Sequence, residues 1–484
     1  MKQVQLLFEG QRTWLGVQEA VQHSVVQVVA QVATFDWIEP YRVDEQQEAR
    51  GTGFIIDVEG HVITNAHVVD QAKTVWIHVP AFGKKVIAVD VVSFCPDRDL
   101  ALLRIKPEGR EFFKKQLGSI IPLTLGDSDS VQRTDNVLLV GYPLGQYGVK
   151  TVTGIISGRE SGDGRTLLQI TAPVNLGNSG GPLINEYGEV VGIAIAMVFL
   201  AQNIGYAIPV NELKAVLEDL YKNKFVRRPT LGVRFNYATD ECARYFGNPV
   251  PSGFYINTVF PGTLLEKAGV LAGDMLYEFN AYALDSFGEV IVPWCSDKLT
   301  IHDLVARVKI GDQIGIILYR AGKRIELSFT FDLVPSYAIR MMYPLYEPVD
   351  YEIFGGMVVM QLVDNHIPLL AENAPSLIDY SKMEHKVGPR LVITHIFPGS
   401  VIQQGRCFTS GFIITQVNGM AVATLSELSH AIVQNRDKEF VTIKTEDGIL
   451  GVFLLRAIVE DEVRLSSDFS YPISPVMEEL LKDK

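Results

Sequence analysis

Three residues in the N-terminal half of the chain could together perform nucleophilic catalysis. Ser179 lies in the glycine-rich segment LGNSGGPL at 176–183, between the apolar segments LLQITAPV and PLIN. A nucleophilic serine needs an exposed hydroxyl and nearby backbone N–H groups that can stabilise an oxyanion. Glycine residues around Ser179 permit the tight backbone conformations of such a turn. We expect an oxyanion hole at Gly177, Asn178 and Ser179, with the N–H groups of Gly177 and Ser179 as the donors.

A histidine and an aspartate precede this serine in an order that fits the same chemistry. His67 follows an apolar run in HVITNAHVVD, and Asp99 begins the alternating apolar run DLALLRI. The order His, Asp, Ser, with separations of 32 and 80 residues, is one of the known orders of a catalytic triad. Taken singly, these residues would more often be a core histidine, a strand-start cap and a turn residue. Their combination favours a triad.

The elements that must position these residues are mostly strands. From 24 to 208 the chain consists of short apolar runs separated by glycine and turn residues, which predicts a β-barrel or a sandwich pair. Residues 211–224 have apolar positions at helical spacing behind Asn211, which predicts a capped helix. The basic stretch 222–229 follows. We interpret it as a solvated linker, with a role in holding a carboxylate as the alternative.

An internal repeat follows the linker. Residues 259–284 and 396–422 each contain a strand, Phe-Pro-Gly, a short helix, a glycine turn and a second strand. The two copies lie 137 residues apart, too far for a solenoid, so they predict two copies of a small domain. The second copy is degenerate because it lacks the Ala-Gly-Val at 268–270. Residues 334–350, rich in proline and tyrosine, predict an ordered connector.

Composition excludes several classes of function. The formal charge of −13 disfavours nucleic acid as a partner. The four cysteines are scattered and predict neither a disulfide framework nor a zinc site, and we find no metal or cofactor motif. Residues 1–21 lack the unbroken apolar core of a secretory signal, so we expect a cytoplasmic or other non-Sec location. The longest apolar run, 190–201, is too short to span a membrane.

The motifs GTGFIID, TNAHVV, DLALLRI and GNSGGPLIN together resemble the protease domain of the HtrA/Deg family, most strongly over 24–210. The resemblance implies a mainly β fold, in which a chymotrypsin-like double antiparallel β-barrel precedes two PDZ domains. It implies that His67 is the general base, that Asp99 orients it and that Ser179 attacks the peptide carbonyl. Asp97 competes for the aspartate role, but the acid of the family motif directly precedes the Leu-Ala-Leu strand. The pattern resembles plant Deg-type proteases more than periplasmic bacterial ones, chiefly because of the proline- and tyrosine-rich connector and the missing signal.

The resemblance also implies an ATP-independent serine endopeptidase that degrades unfolded or damaged proteins. Its partners would be peptide substrates, peptide C-termini at the PDZ domains and further copies of the chain, in a trimer or a multiple of it. The expected peptide-carboxylate loops are Leu231, Gly232 and Val233 in the first PDZ domain, and Gly355, Gly356 and Met357 in the second. The walls of the specificity pocket are expected at Ile195, Ala196, Met197 and Ile204. No acidic residue lies there, which favours aliphatic side chains over basic ones.

This interpretation predicts six segments: an N-terminal extension at 1–23, a trypsin-like protease domain at 24–226, a first PDZ domain at 229–333, a connector at 334–350, a degenerate second PDZ domain at 351–460 and a tail at 461–484. Two rival functions stay open. One is a catalytically silent peptide-binding scaffold or holdase, and the other is a host-directed effector protease with the same chemistry.

Overall fold

The computed structural model describes residues 13–42, 46–79, 82–162, 165–195, 204–228, 230–250, 252–295, 297–333 and 337–482. The chain divides into two compact units, one of residues 1–32 and 46–334 and the other of residues 33–45 and 335–484. No helix among the described residues has both the length and the apolar character needed to cross a membrane.

The first unit begins with a closed antiparallel barrel of six strands. In spatial order these are Val25–Ala33, Gln46–Ile55, His61–Thr64, Leu100–Ile105, Val86–Cys95 and Ala72–His78. The barrel closes where the first and last of these strands pair antiparallel. Its interior is filled by side chains such as Val28, Phe54 and Ile63, which are fully buried.

A second barrel follows in the same unit. Its six strands form the ring Pro182–Ile184, Asn136–Gly141, Lys150–Gly162, Arg165–Ile170, Gly205–Pro209 and Glu189–Ile195, closed by the pairing of the first with the last; the short strand Thr124–Leu125 adds to the last. The helices of this part are Trp14–Val21, Ala66–Val69, Pro107–Leu117 and Val210–Lys222, with 3-10 turns at Pro96–Arg98 and Pro143–Gly145. The predicted mainly β, double-barrel architecture is confirmed.

Helix Val210–Lys222 buries Leu213, Val216 and Leu220 against the core that the two barrels share. Its N-cap is Pro209, which has no capping side chain, and the Ser128 hydroxyl accepts the Asn211 N–H at 3.2 Å. The predicted Asn211 cap is therefore wrong. The Asn211 side chain instead donates a hydrogen bond to Asp127 Oδ1 at 2.7 Å.

A smaller sheet, which we call the first module, completes this unit. Its strands are Val233–Tyr237, Phe254–Val259, Met275–Phe279, Tyr282–Ala283, Gln313–Arg320 and Lys323–Thr330, with a separate ribbon of Glu289–Val290 and Leu299–Thr300; its helices are Asp240–Tyr245, Leu264–Lys267 and Ile301–Arg307. A bidentate ion pair joins it to the second barrel, because Arg307 Nη1 and Nη2 lie 2.5 and 2.8 Å from the carboxylate oxygens of Asp129. Such fork geometry fixes orientation as well as distance.

The second unit contains another antiparallel sheet, which we call the second module. Its strands are, in spatial order, Tyr351–Phe354, Met357–Gln361, Leu391–Ile396, Ile413–Val417, Phe440–Thr445 and Leu450–Leu454, with Met420–Ala421 beside the fourth. Its helices are Ile367–Leu370, Val401–Gln404, Leu425–Val433, Leu455–Phe469 and Pro475–Lys482, with 3-10 turns at Asp364–His366, Pro375–Ser381 and Met383–His385. The predicted boundary at 460 lies inside helix Leu455–Phe469.

The second unit also includes residues 33–45, which connect two strands of the first barrel in the sequence. Trp37 in this segment is only 8 % exposed and meets the His366 ring edge-on, with centroids 5.3 Å apart. Burial lowers the pKa of His366 to about 3, so its ring stays neutral at physiological pH. The connector contributes as well, since Ile339 is fully buried in the same unit.

A buried acid in the C-terminal helices makes this unit sensitive to pH. Glu462 is fully buried, and the Tyr471 hydroxyl donates a hydrogen bond to its Oε1 at 3.0 Å. Desolvation, assisted by the nearby charge of Glu352, raises the pKa of Glu462 to about 7 from 4.5. The folded protein therefore holds a proton between pH 4.5 and 7 that the unfolded chain releases.

We expect the second module to lose about 3 kcal/mol of stability as the pH rises from below 4.5 to above 7, because each pKa unit corresponds to about 1.4 kcal/mol. Glu462→Gln, which stays neutral, should weaken this dependence, and the raised pKa of the buried Glu352 should account for what remains. The measurement is hydrogen exchange of helix Leu455–Phe469, corrected for the intrinsic rate at each pH. Glu439→Gln, at an exposed acid, is the matched control. An unchanged pH dependence in Glu462→Gln would contradict this assignment.

Candidate active site

The structure brings His67 and Asp99 into direct contact. His67 lies in the one-turn helix Ala66–Val69, directly after strand His61–Thr64. Its Nδ1 is 2.9 Å from both Asp99 carboxylate oxygens, and its backbone N–H donates to Asp99 Oδ1 at 3.0 Å. The Asn65 side chain donates to the Asp99 carbonyl at 2.9 Å. These bonds fix the orientation of the imidazole and engage its Nδ1, so that Nε2 is the ring nitrogen not bonded to Asp99.

Asp99 is reached through a tight turn. It follows the 3-10 turn Pro96–Arg98, donates its N–H to the Pro96 carbonyl at 3.0 Å and has φ of +53°. Aspartate is among the few non-glycine residues that adopt this left-handed conformation readily. The turn aims the carboxylate back toward His67, while strand Leu100–Ile105 continues into the barrel core.

The predicted nucleophile lies in the loop between strands Arg165–Ile170 and Pro182–Ile184. Ser179 is 4 % exposed, and its carbonyl accepts the Thr52 N–H at 2.8 Å. The next residue, Gly180, has φ of +83°, and a Cβ there would lie 2.4 Å from Thr64 Oγ1 and 3.0 Å from Asn65 N. Only glycine therefore allows the serine loop to pack this closely against the segment that leads to His67.

The donors predicted for the oxyanion hole are the N–H groups of Gly177 and Ser179, and Asn178 lies between them. The Asn178 N–H donates to the Asn175 carbonyl at 2.9 Å, so it does not act as an oxyanion donor in this arrangement. This leaves the N–H groups of Gly177 and Ser179 as the candidate donors. Gly177 has φ of +96°, and a Cβ there would lie 2.4 Å from the Tyr142 carbonyl. The preceding peptide plane is oriented by Leu144, whose N–H donates to the Leu176 carbonyl at 2.6 Å.

Sequence reasoning gave no role to Thr52, which holds the serine loop in place. This residue is fully buried, and its hydroxyl donates to the Gly177 carbonyl at 2.7 Å and accepts the Tyr142 N–H at 3.0 Å. Its carbonyl accepts the Thr64 hydroxyl at 2.7 Å. Thr52 thus ties both barrels to the loop that carries Ser179. The only sequence signal was its place in the motif GTGFIID.

The predicted specificity pocket is described in part. Ile195 is 4 % exposed and lies directly opposite Tyr206 in the strand pairing, and Ile204 is 39 % exposed. Ala196 and Met197 lie outside the described residues. The described parts of the two walls, 192–195 and 204–206, contain no acidic side chain.

The predicted carboxylate loop of the first module precedes an edge strand. Gly232 has φ of +72°, and a Cβ there would lie 2.1 Å from the Thr263 side chain. Val233 begins strand Val233–Tyr237, which is the last strand at its end of the sheet among the described strands. A strand at this position can accept an extended peptide by main-chain pairing. Leu231 is buried beside it in the module core.

The corresponding prediction for the second module is not supported. Gly355 and Gly356, with φ of +61° and +81°, form the turn of a hairpin in which Tyr351–Phe354 pairs with Met357–Gln361. The edge of Met357–Gln361 that a peptide would occupy is therefore filled by the chain's own strand. A Cβ at Gly355 would meet Ile402 at 2.9 Å and Ile458 at 3.2 Å, so apolar side chains also cover the loop.

Two closed antiparallel barrels, with a histidine–aspartate pair on one and a serine loop on the other, define a trypsin-like serine endopeptidase. The family model described as "Trypsin-like peptidase domain" matches residues 51–193. A Synechocystis relative, "Putative serine protease HhoA", is 33 % identical over 299 residues, 58 % of this chain and 69 % of its own length. The chain belongs to the HtrA/Deg family of serine endopeptidases, a family of protein quality control, and its two further sheets fit PDZ domains.

Three further relatives and one solved structure are also similar to this chain. "Protease Do-like 2, chloroplastic" from Arabidopsis thaliana is 28 % identical, covering 93 % of this chain and 74 % of its own length. A "Probable periplasmic serine endoprotease DegP-like" from Marinomonas is 29 % identical, covering 79 % of this chain and 74 % of its own. This chain spans 57 % of the similarly named protein of Chlamydia trachomatis. The solved structure "HtrA-type protease AlgW with tripeptide" shares the fold, with a TM-score of 0.53 at 24 % identity, covering 67 % of this chain and 98 % of its own.

The predicted cytoplasmic location is wrong. The relatives from Marinomonas and Arabidopsis thaliana are named as periplasmic and chloroplastic proteins. These names point to a periplasmic or organellar location. The prediction had relied on the residue types of 1–21 alone, and relatives of the same family outweigh that signal.

Proposed function

We propose that His67, Asp99 and Ser179 form the catalytic triad. The Oγ of Ser179 attacks the carbonyl carbon of the scissile bond while His67 Nε2 takes the hydroxyl proton. His67 later gives that proton to the leaving amine. Asp99 holds the ring through Nδ1 and stabilises the imidazolium. The N–H groups of Gly177 and Ser179 stabilise the oxyanion. The contact of His67 with Asp99 at 2.9 Å is the observation that carries this proposal.

The substrates we propose are unfolded or damaged proteins, cut without ATP. Two large apolar side chains at the serine loop are exposed: Leu176 in the loop is 66 % exposed, and Leu144, which is hydrogen-bonded to it, is 71 % exposed. Such surface favours extended apolar segments, which folded proteins bury and unfolded ones expose. The absence of acidic residues in the described pocket walls supports cleavage after aliphatic rather than basic side chains.

The first module, in this proposal, binds peptide C-termini at the loop of Leu231, Gly232 and Val233. An edge strand that begins at this loop supports that role, because a peptide can pair along it. The second module has the equivalent edge filled by Tyr351–Phe354, so we assign it to structure and assembly. We further propose a trimer or a multiple of it, which light scattering would test.

The proposal predicts that the enzyme degrades casein and cuts mainly after Val, Ala and Leu. Mass-spectrometric mapping of the products, with and without a peptide that ends in a free apolar C-terminus, is the measurement. A map dominated by Arg and Lys would contradict the pocket assignment. If no casein is cut in either condition, the scaffold or holdase function replaces the protease function.

A further inference from the structure

Asp97, two residues before the triad aspartate, is held by the segment that leaves the barrels. Its Oδ2 accepts the backbone N–H of Arg228 at 2.8 Å, and its Oδ1 lies 3.6 Å from Arg227 Nη1. The Arg228 side chain in turn donates to the His302 carbonyl in the first module at 3.0 Å. The basic stretch therefore holds a carboxylate, and its interpretation as a solvated linker is wrong.

The same segment is attached a second time, just before the turn. The Phe94 N–H donates to the Lys224 carbonyl at 3.0 Å, and the Val226 N–H donates to the Phe94 carbonyl at 3.0 Å. The rings of Phe94 and Phe225 stack at 6.4 Å with an angle of 13°. Residues 224–228 therefore contact the strand at Phe94 and the turn at Asp97. That strand and turn lead directly to the triad aspartate.

The conformation of Asp99 depends on this turn. Its φ of +53° and ψ of 45° are in the left-handed region, and its N–H donates to the Pro96 carbonyl at 3.0 Å, so Asp99 ends the same turn. Arg98, between the two aspartates, is 4 % exposed, and its Nη1 donates to the Glu212 carbonyl at 3.4 Å. Arg98 therefore anchors the turn to the protein interior, and Asp97 anchors it to residues 224–228.

We propose that Asp97 is a positioning residue for catalysis, which holds the turn so that the Asp99 carboxylate stays on His67. The inference rests on the proposed triad. A displacement of about 1 Å in a catalytic group can cost about 10²-fold in rate, so partial loosening of this turn would slow the chemical step. Substrate binding, which the proposed function assigns to the pocket walls and the serine loop, would change little.

The test compares Asp97→Ala with Asp97→Asn, whose amide oxygen can still accept the Arg228 N–H. We measure kcat and KM on casein and the rate at which diisopropyl fluorophosphate labels the active-site serine. Asp97→Ala should lower kcat and the labelling rate about tenfold with KM within about twofold of wild type, and Asp97→Asn should stay within about threefold. Asp90→Ala, at an exposed acid whose Oδ1 lies 3.2 Å from Lys106 Nζ, is the control.

A structural role alone would lower the melting temperature and leave the labelling rate of the folded enzyme unchanged, and that result overturns the proposal. Asp97→Ser, too short to reach Arg228, should repeat the Asp97→Ala result and replaces it if that variant fails to fold. Labelling of Ser179→Ala at the wild-type rate would overturn the triad itself. Inactivity of Asp97→Asn together with full activity of Asp99→Asn would show that the two aspartates had been exchanged.

Discussion

Replacing Ser179 with alanine is expected to lower kcat on casein about 10⁵- to 10⁶-fold, because the covalent route is lost while the rest of the site remains. The change removes one hydroxyl from a residue that is 4 % exposed. The bond from the Thr52 N–H to the Ser179 carbonyl at 2.8 Å is main-chain, so the loop should keep its conformation. KM should therefore change little. Steady-state proteolysis and labelling by diisopropyl fluorophosphate are the two measurements.

A matched control separates this effect from general damage. Ser119→Ala alters an exposed serine and should retain wild-type kcat and labelling. Residual activity of Ser179→Ala above about a hundredth of wild type would be incompatible with a serine nucleophile at this position. In that case the hydrolysis would have to come from another group.

The three residues of the proposed triad could be identified from the sequence because each lies in a short, locally determined pattern. Ser179 needed glycine neighbours, and the positive φ values of Gly177 and Gly180 show why only glycine serves there. The choice of Asp99 over Asp97 depended on the alternating strand that begins at Leu100. In the structure Asp99 contacts His67, and Asp97 contacts Arg228.

The second module shows where local patterns fail. The string Gly355-Gly356-Met357 resembles the loop of the first module, but its role depends on which strand lies beside it. Tyr351–Phe354 folds back as a hairpin on Met357–Gln361. In the first module, the residues before the corresponding loop are instead held by Asp97. Similarly, nothing in the sequence indicated that the Asn178 N–H is used by the Asn175 carbonyl.

Contacts between residues far apart in the sequence could not be predicted either, because a local pattern does not specify which residue a buried side chain contacts. Trp37 belongs to a connection between barrel strands, yet it packs on His366 in the second unit, more than 300 residues away. The alternation of apolar residues specifies that a side chain is buried and leaves its partner undetermined. Thr52 is similar, because its four hydrogen bonds join segments up to 127 residues apart.

Asp99→Asn is expected to lower kcat about 10⁴-fold without displacing the backbone. Asparagine tolerates the left-handed conformation at φ of +53°, whereas alanine would add strain. The amide oxygen of the new side chain can still accept the backbone N–H of His67, which Asp99 Oδ1 accepts at 3.0 Å. That orientation turns the amide nitrogen toward His67 Nδ1, which must then accept a hydrogen bond. The ring proton moves to Nε2, and His67 can no longer take the proton of Ser179.

The tautomer argument makes a sharper prediction than loss of activity alone. Asp99→Asn in the Ser179→Ala background should add almost no further loss, because residues that act as a unit are non-additive. Asp90→Asn, at a surface acid 65 % exposed in its side chain, should leave kcat unchanged, since exposed ion pairs contribute little. If Asp99→Asn kept more than about a tenth of the wild-type kcat, the carboxylate would not be setting the tautomer of His67, and another acceptor at Nδ1 would be required.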